Sequence, residues 1–227
     1  MNKESIYTIR LPSGGILPVT RYRFQNGEGP KVAFVAGIRG DAPEGIRVAF
    51  KLTRMLEQLE PLLQGCIDVF PVVNPLAAEQ GSRLWPSFAL DQNRQFPGKE
   101  DGHPPAQVAH VLMQELEGIS LLVELRGARP GFEELPQAMI QDDHKDLSLF
   151  DDVTLLDVAR QCNTSLVWCR KSGRSANRTL AYQFAQTIVL EGGQGNRLTS
   201  SVGEVLGDGC LYLLTRTGVL PEEHLPF

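Results

Sequence analysis

The chain has 227 residues, 42% of them hydrophobic, with a formal net charge of −5 and a sequence pI near 5.4. That apolar content suits one α/β domain with a full core. Its mild acidity leaves no electrostatic footprint for nucleic acid, and no apolar run reaches the roughly 18 residues that cross a bilayer.

The opening stretch, MNKESIYTIRLP, lacks the apolar core of a secretion signal, so the expected compartment is the cytoplasm, in a bacterium. Residues 7–11 and 16–24 read as a hairpin turning at Ser13-Gly14-Gly15. KVAFVAGI, 31–38, is an apolar run suited to a central parallel strand. Asp41, Pro43 and Glu44 form a DxPE pattern, expected to cap a helix running to about Leu59. Val48, Leu52, Met55 and Leu59 give that helix its apolar stripe. Residues 66–73 read as a second buried strand. The segment 74–98 is a long loop rich in Pro, Gly, Asn and Arg, a length that points to function or disorder. Trp85 and Phe88 argue that it is packed.

Further on, 107–116 reads as a helix stopped by Gly118, and 119–125 as a third core strand. Residues 127–150 read as an irregular surface excursion. A short helix at 153–162, a strand at 165–169, a helix at 177–184 and a strand at 187–191 follow. A final helix over 199–214 is weakened by Gly203, Gly207 and Gly209. Cys66, Cys162, Cys169 and Cys210 are scattered and read as buried reduced thiols. His103, His110, His144 and His224 have no metal-ligand spacing and read as solvated or capping residues.

The alternation predicts a mostly parallel mixed sheet with helices on both faces. Ligands of such sheets bind beyond the carboxyl ends of strands. Arg39, Arg126 and Glu191 fall just past apolar runs, and so does the Asn74-Pro75 turn, so one cleft is expected to collect them.

GIRGDAPEG at 37–45, QNRQFPG at 92–98 behind Asp91, and LLVELR at 121–126 resemble, in order and spacing, the succinylglutamate desuccinylase/aspartoacylase family. This is a branch of the zinc carboxypeptidase-like hydrolases. The resemblance runs from about Lys31 to Gly193, and its most specific piece is NPLAAEQGSRLWPSFALDQNRQFPG, 74–98. It implies a carboxypeptidase-like three-layer α/β sandwich over residues 1–227, with the 1–30 hairpin packed on it and no separate C-terminal β domain of the kind larger members carry. It also implies roles. Arg83 would polarise a scissile carbonyl, Asn93 and Arg94 would grip a substrate carboxylate, and Glu191 would activate water. The bland alternatives are surface charges for the arginines and a turn-stabilising acceptor for Glu191.

The family pattern would place His at 39, Glu at 42 and His at 126, where this chain has Arg39, Ala42 and Arg126. A guanidinium has no lone pair for a metal, and alanine has no donor. No cofactor is therefore expected, although the family implies zinc. Asp41 and Glu44 are explained as helix caps, and Glu124 shares a face with Arg126 and can pair with it. Two outcomes stay open for Arg39 and Arg126. They bind a carboxylate or phosphate ligand bidentately, or they pair with local carboxylates in a collapsed site. GIRG and EGGQG match no phosphate-loop pattern.

The leading functional reading is a protein that holds a small carboxylate-bearing ligand, an N-acyl amino acid or peptide end, without metal-dependent cleavage. The alternative is an active hydrolase of the same family, with Glu191 as base, acting on amide or ester bonds. A scaffolding subunit is the third. The chain gives no sign of its oligomeric state, and a homo-oligomer is left open.

Overall fold

In the computed structural model, which describes residues 1–150, 153–171, 173 and 176–224, the sheet grows from a few apolar runs. β1 (Asn2–Arg10) and β2 (Ile16–Asn26) form the expected hairpin, β3 (Lys31–Val35) follows, and α1 (Pro43–Leu59) leads to β4 (Gly65–Phe70). The long loop is structured by α2 (Pro75–Glu79) and a ribbon of β5 (Leu84–Trp85) with β6 (Leu90–Asp91). Then come α3 (Pro104–Glu115), β7 (Leu121–Leu125) and β8 (Glu133–Gln141). A second ribbon, β9 (Ser148–Phe150) with β10 (Val153–Thr154), precedes α4 (Leu155–Arg160), β11 (Leu166–Arg170), β12 (Thr187–Gln194) and α5 (Ser200–Arg216).

Eight strands form one sheet in the order β1-β2-β4-β3-β7-β12-β8-β11. The β4–β3, β3–β7, β7–β12 and β8–β11 pairs are parallel, and the hairpin, β2–β4 and β12–β8 pairs are antiparallel. β3 and β7 sit at the centre and are buried on both faces, as parallel strands covered on both sides must be. On one face, Val48, Leu52 and Leu56 of α1 pack with Val158 of α4 and Leu206 and Leu214 of α5. On the other, Val108, Ala109 and Leu112 of α3 pack with Phe70, Leu122 and the loop residues Trp85 and Phe96. The mixed sheet with helices on both faces is the expected α/β sandwich.

Four local expectations are corrected. The 127–150 segment is no surface excursion: Glu133–Gln141 is an interior strand of the main sheet, with Ala138 and Ile140 in the core. The DxPE pattern does not cap α1, whose N-cap is Ala42 with no side-chain bond; Asp41 and Glu44 are engaged elsewhere. The expected 177–184 helix is two short 3₁₀ turns, Ala176–Arg178 and Leu180–Tyr182. Finally, Cys169 is exposed and Cys66 half-buried, while Cys162 and Cys210 are buried. The hairpin joins the sheet edge-on through β2 and β4. The side chain of His224 and residues 225–227 lie outside the described residues.

Candidate functional site

The turn after β3 places Arg39. Its neighbour Gly40 lies so close to α2 that a Cβ would fall 2.0 Å from the Ala77 carbonyl, so only glycine lets this turn seat there. Arg39 is 8% exposed, and its Nε and Nη2 donate to the two Asp41 carboxylate oxygens at 2.9 and 3.0 Å. Asp41 is thus the counter-ion of Arg39, which explains why it does not cap the helix.

Arg126 follows β7 directly, and its backbone N–H donates to the Leu190 carbonyl at 2.8 Å, which fixes it beside β12. Its Nε and Nη2 donate to Glu124 at 2.5 and 2.7 Å. Burial works against the Arg126 charge, but the surrounding carboxylates, Glu124 first and then Glu191 and Asp91, together outweigh it, and the guanidinium is held more firmly protonated than usual. Both arginines spend their Nε–Nη2 edge on an internal carboxylate. Their Nη1 atoms have no hydrogen bond among the described residues.

Glu191 lies inside β12 and not past its end, because the strand continues through the glycines to Gln194 with an irregularity between Glu191 and Gly193. It is 7% exposed. Burial raises its carboxyl pKa, while the nearby Arg126 and Arg39 charges pull the other way.

The 74–98 loop supplies the third group, and Asp91 organises it. Asp91 Oδ2 accepts from Arg83 Nε and Nη2 at 3.0 and 2.8 Å, and Oδ1 accepts from the Asn93 backbone N–H at 2.9 Å. Asn93 Oδ1 accepts from the Leu180 N–H at 3.2 Å, so the amide NH₂ is the donor it has left. Arg94 Nη1 donates to the Asn93 carbonyl at 2.7 Å and has no carboxylate partner among the described residues. Beneath them the loop is anchored by buried Trp85, whose Nε1 donates to Gln92 at 2.7 Å.

All six residues singled out in the sequence, Arg39, Arg83, Asn93, Arg94, Arg126 and Glu191, line one cleft of about 550 Å³. Arg129, Arg170 and Lys171 join them, and neither they nor Arg94 carry an ion pair among the described residues. On a protein of net charge −5, this is a local concentration of positive charge.

Sequence reasoning missed the far half of the cleft. Gln137, Met139 and Gln141 of β8 form part of its floor, and Trp168 and Arg170 of β11 its outer edge. β8 was hidden because Pro136 sits within it and only the AMI triplet reads as strand. That triplet was the one available signal.

The positions where the resemblance implies metal ligands hold Arg39, Ala42 and Arg126, two guanidinium groups and a methyl. Among the described residues, no group of three or more His, Cys, Asp or Glu stands close enough together to hold a metal ion.

Comparison with known proteins places this geometry. Residues 28–206 match the model of the succinylglutamate desuccinylase/aspartoacylase catalytic domain. A curated N-alpha-acetyl-L-2,4-diaminobutyric acid deacetylase from Halomonas elongata is 32% identical over 108 residues, 48% of this chain and 30% of that protein. A succinylglutamate desuccinylase/aspartoacylase from Rhodobacter sphaeroides superposes with a TM-score of 0.80 at 22% identity, over 96% of this chain and 66% of the other. A product-bound ectoine utilization protein from Ruegeria pomeroyi gives a TM-score of 0.79 at 21% identity, over 92% and 63%. The chain therefore spans less than two thirds of the length of these relatives.

Proposed function

Since this chain belongs to the succinylglutamate desuccinylase/aspartoacylase family, we propose that it binds a small carboxylate-bearing ligand, an N-acyl amino acid or peptide end, without metal-dependent hydrolysis. The observation that carries the reading is the cleft itself. Arg94, Asn93 Nδ2 and the Nη1 ends of Arg39 and Arg126 offer donors around one space, beside cations with no ion pair among the described residues. Arginine forks match carboxylate geometry, and the cleft volume lies in the small-molecule range.

The residues present do not fit a catalytic zinc. Such a site takes three lone-pair donors from the protein and keeps a fourth position open. Guanidinium groups pinned by Asp41 and Glu124 supply none, and Ala42 supplies none. The division of labour among the arginines refines the ligand reading. Arg39, Arg83 and Arg126 are already neutralised, so they shape the cleft and offer only a residual edge, while Arg94 has no ion pair among the described residues.

Glu191 supports the second reading, an active hydrolase with Glu191 as base. A buried carboxylate of raised pKa beside cations in a cleft is suited to proton transfer. Without a metal, the arginines would have to stabilise the developing oxyanion, and an ester is then a fitter substrate than an amide.

Thermal shift and calorimetry with acetate, succinate, N-acetylglycine and N-acetyl-L-aspartate test the first reading. A ligand at a hundred times its Kd stabilises by about 2.7 kcal/mol, a rise of roughly 5–10 °C for a domain of this size. The shift should be lost in Arg94→Ala. If no carboxylate shifts the wild type, the proposal fails. Turnover of esters of N-acyl amino acids that disappears in Glu191→Gln would favour the hydrolase.

A further inference from the structure

The register of the sheet places an apolar shelf beside the charged half of the cleft. Val189 of β12 pairs with Met139 of β8, and Met139 pairs with Trp168 of β11. Residues opposite one another in a sheet share a face, so Val189, Met139 and Trp168 form one continuous row on the cleft floor, which all three line. On the other side of Val189 the same row continues to Glu124, the counter-ion of Arg126. The row therefore runs from the charged pair outward to the open edge of the sheet.

This row is not part of either main core. Met139, Val189 and Ala181 form a small apolar cluster of their own, with Tyr182 packed against it. The first three keep 5–7% of their surface open, while Trp168 is 51% exposed on the edge strand. The half-exposed tryptophan leaves the outer end of this apolar row open to solvent inside the cleft. The charged groups and the shelf share one cleft of small-molecule size, which argues for one occupant that is anionic at one end and apolar at the other.

We infer that the ligand of this cleft is an amphipathic carboxylate, an N-acyl amino acid or related acid whose other end is aromatic or branched aliphatic, with that end lying on Val189, Met139 and Trp168. The inference rests on the reading that the cleft binds carboxylates and adds to it the nature of the second group. Glu191 and Glu134, which also line the cleft, oppose a second anionic group, while Arg170, whose Nη1 reaches Met139 Sδ at 3.9 Å, and Lys171 would attract one, so the aspartate derivative is the competing arm of the test.

The chain has two tryptophans, and Trp85 is fully buried and hydrogen-bonded to Gln92, so a ligand-induced change in tryptophan fluorescence reports chiefly on Trp168. N-Acetyl-L-phenylalanine, N-acetyl-L-leucine, N-acetylglycine and N-acetyl-L-aspartate are titrated by calorimetry against wild type, Trp168→Ala, Trp168→Phe and Arg94→Ala, with fluorescence as a second readout in wild type and Arg94→Ala, which keep Trp168. The phenylalanine and leucine derivatives should bind roughly tenfold or more tighter than the glycine one, the effect of covering an aromatic or branched side chain. Trp168→Ala should erase that advantage and leave N-acetylglycine unchanged, Trp168→Phe should keep most of it, and Arg94→Ala should weaken all four. Equal affinity for the glycine and phenylalanine derivatives, or tighter binding of the aspartate one, overturns the inference while leaving the carboxylate reading intact. Binding of none of the four overturns both. If sedimentation shows wild type self-associating and Trp168→Ala monomeric, with ligand affinities unchanged, the shelf is an interface between copies and the inference is wrong.

Discussion

Glu44 Oε2 accepts a hydrogen bond from the Thr199 backbone N–H at 2.7 Å, tying the first turn of α1 to the start of α5. The side chain is fully buried. Its other oxygen has no hydrogen bond among the described residues and stands 3.5 Å from Arg47 Nη1. An anion at the start of a 17-residue helix gains from the helix dipole, which offsets part of its burial. The carboxylate also occupies space that requires Gly203, where a Cβ would lie 2.4 Å from Oε1. Glu44→Ala should therefore lower stability by about 2–4 kcal/mol through a lost charged bond and a cavity, and Gly203→Ala by about 1–3 kcal/mol through overpacking. Because Gly203→Ala clashes with the atom that Glu44→Ala removes, the double variant should lose less than the sum. Urea unfolding of the four proteins measures the coupling.

A pH dependence follows from the two buried carboxylates. Burial raises the pKa of both Glu44 and Glu191. The folded state then prefers the protonated form, so this contribution to stability is full below the unfolded value of about 4.3 and is lost as pH rises through the folded value. Glu191→Gln and Glu44→Gln remove the titration. Relative to wild type, each variant should gain stability as pH rises from about 4 to 7. Parallel curves for variant and wild type across that range would mean that the two carboxylates titrate normally.

The Arg126–Glu124 pair makes a sharper claim. Glu124 is 1% exposed and Arg126 partly buried, with two charge-assisted bonds between them. Glu124→Leu alone strands a guanidinium, and should cost about 3–5 kcal/mol. Adding Arg126→Leu should recover most of that loss, since an apolar pair of similar volume replaces a buried ion pair at little net cost. A double variant as unstable as the single one would show that Arg126 has other important partners. Chemical denaturation decides.

What was legible in the sequence divides along physical lines. Buried parallel strands announce themselves as apolar runs, so KVAFV and LLVEL were read directly, and each places an arginine at its end. The stripe of α1 was equally plain. β8 was not, because a strand carrying Pro136 and two glutamates looks like loop, and its pairing with β11 and β12 is long-range. The cap reading of Asp41 and Glu44 failed because both signals were local, while their partners, the Arg39 guanidinium and Thr199, are chosen by tertiary contact. Arg39 and Arg126 reached one cleft because they follow neighbouring strand ends, Glu191 because it lies in the adjoining β12, and Arg83, Asn93 and Arg94 because the loop organised by Asp91 brings them there, but which arginines remain unneutralised depended on side-chain pairing that spacing alone does not encode.

That pairing leads to a test of the metal argument by construction. If the donor set alone decides whether a divalent cation is held here, restoring it should restore binding. Arg39→His, Ala42→Glu and Arg126→His together supply two imidazoles and a carboxylate on the turn after β3 and the end of β7. They also free Asp41 and Glu124, each now bonded to an arginine that the substitutions remove. Released carboxylates next to ligating histidines can accept their remaining ring N–H, which orients the ligands and raises their basicity. The triple variant should hold about one zinc per chain after gel filtration, as three protein ligands suffice for an open tetrahedral site. Wild type, treated alike, should hold none, and each variant lacking one of the three substitutions should bind far more weakly. Elemental analysis and competition with a chromophoric chelator give the numbers. Stoichiometric zinc in the wild type would show that donors other than residues 39, 42 and 126 serve the metal, and the proposal of a metal-free cleft would fall with it.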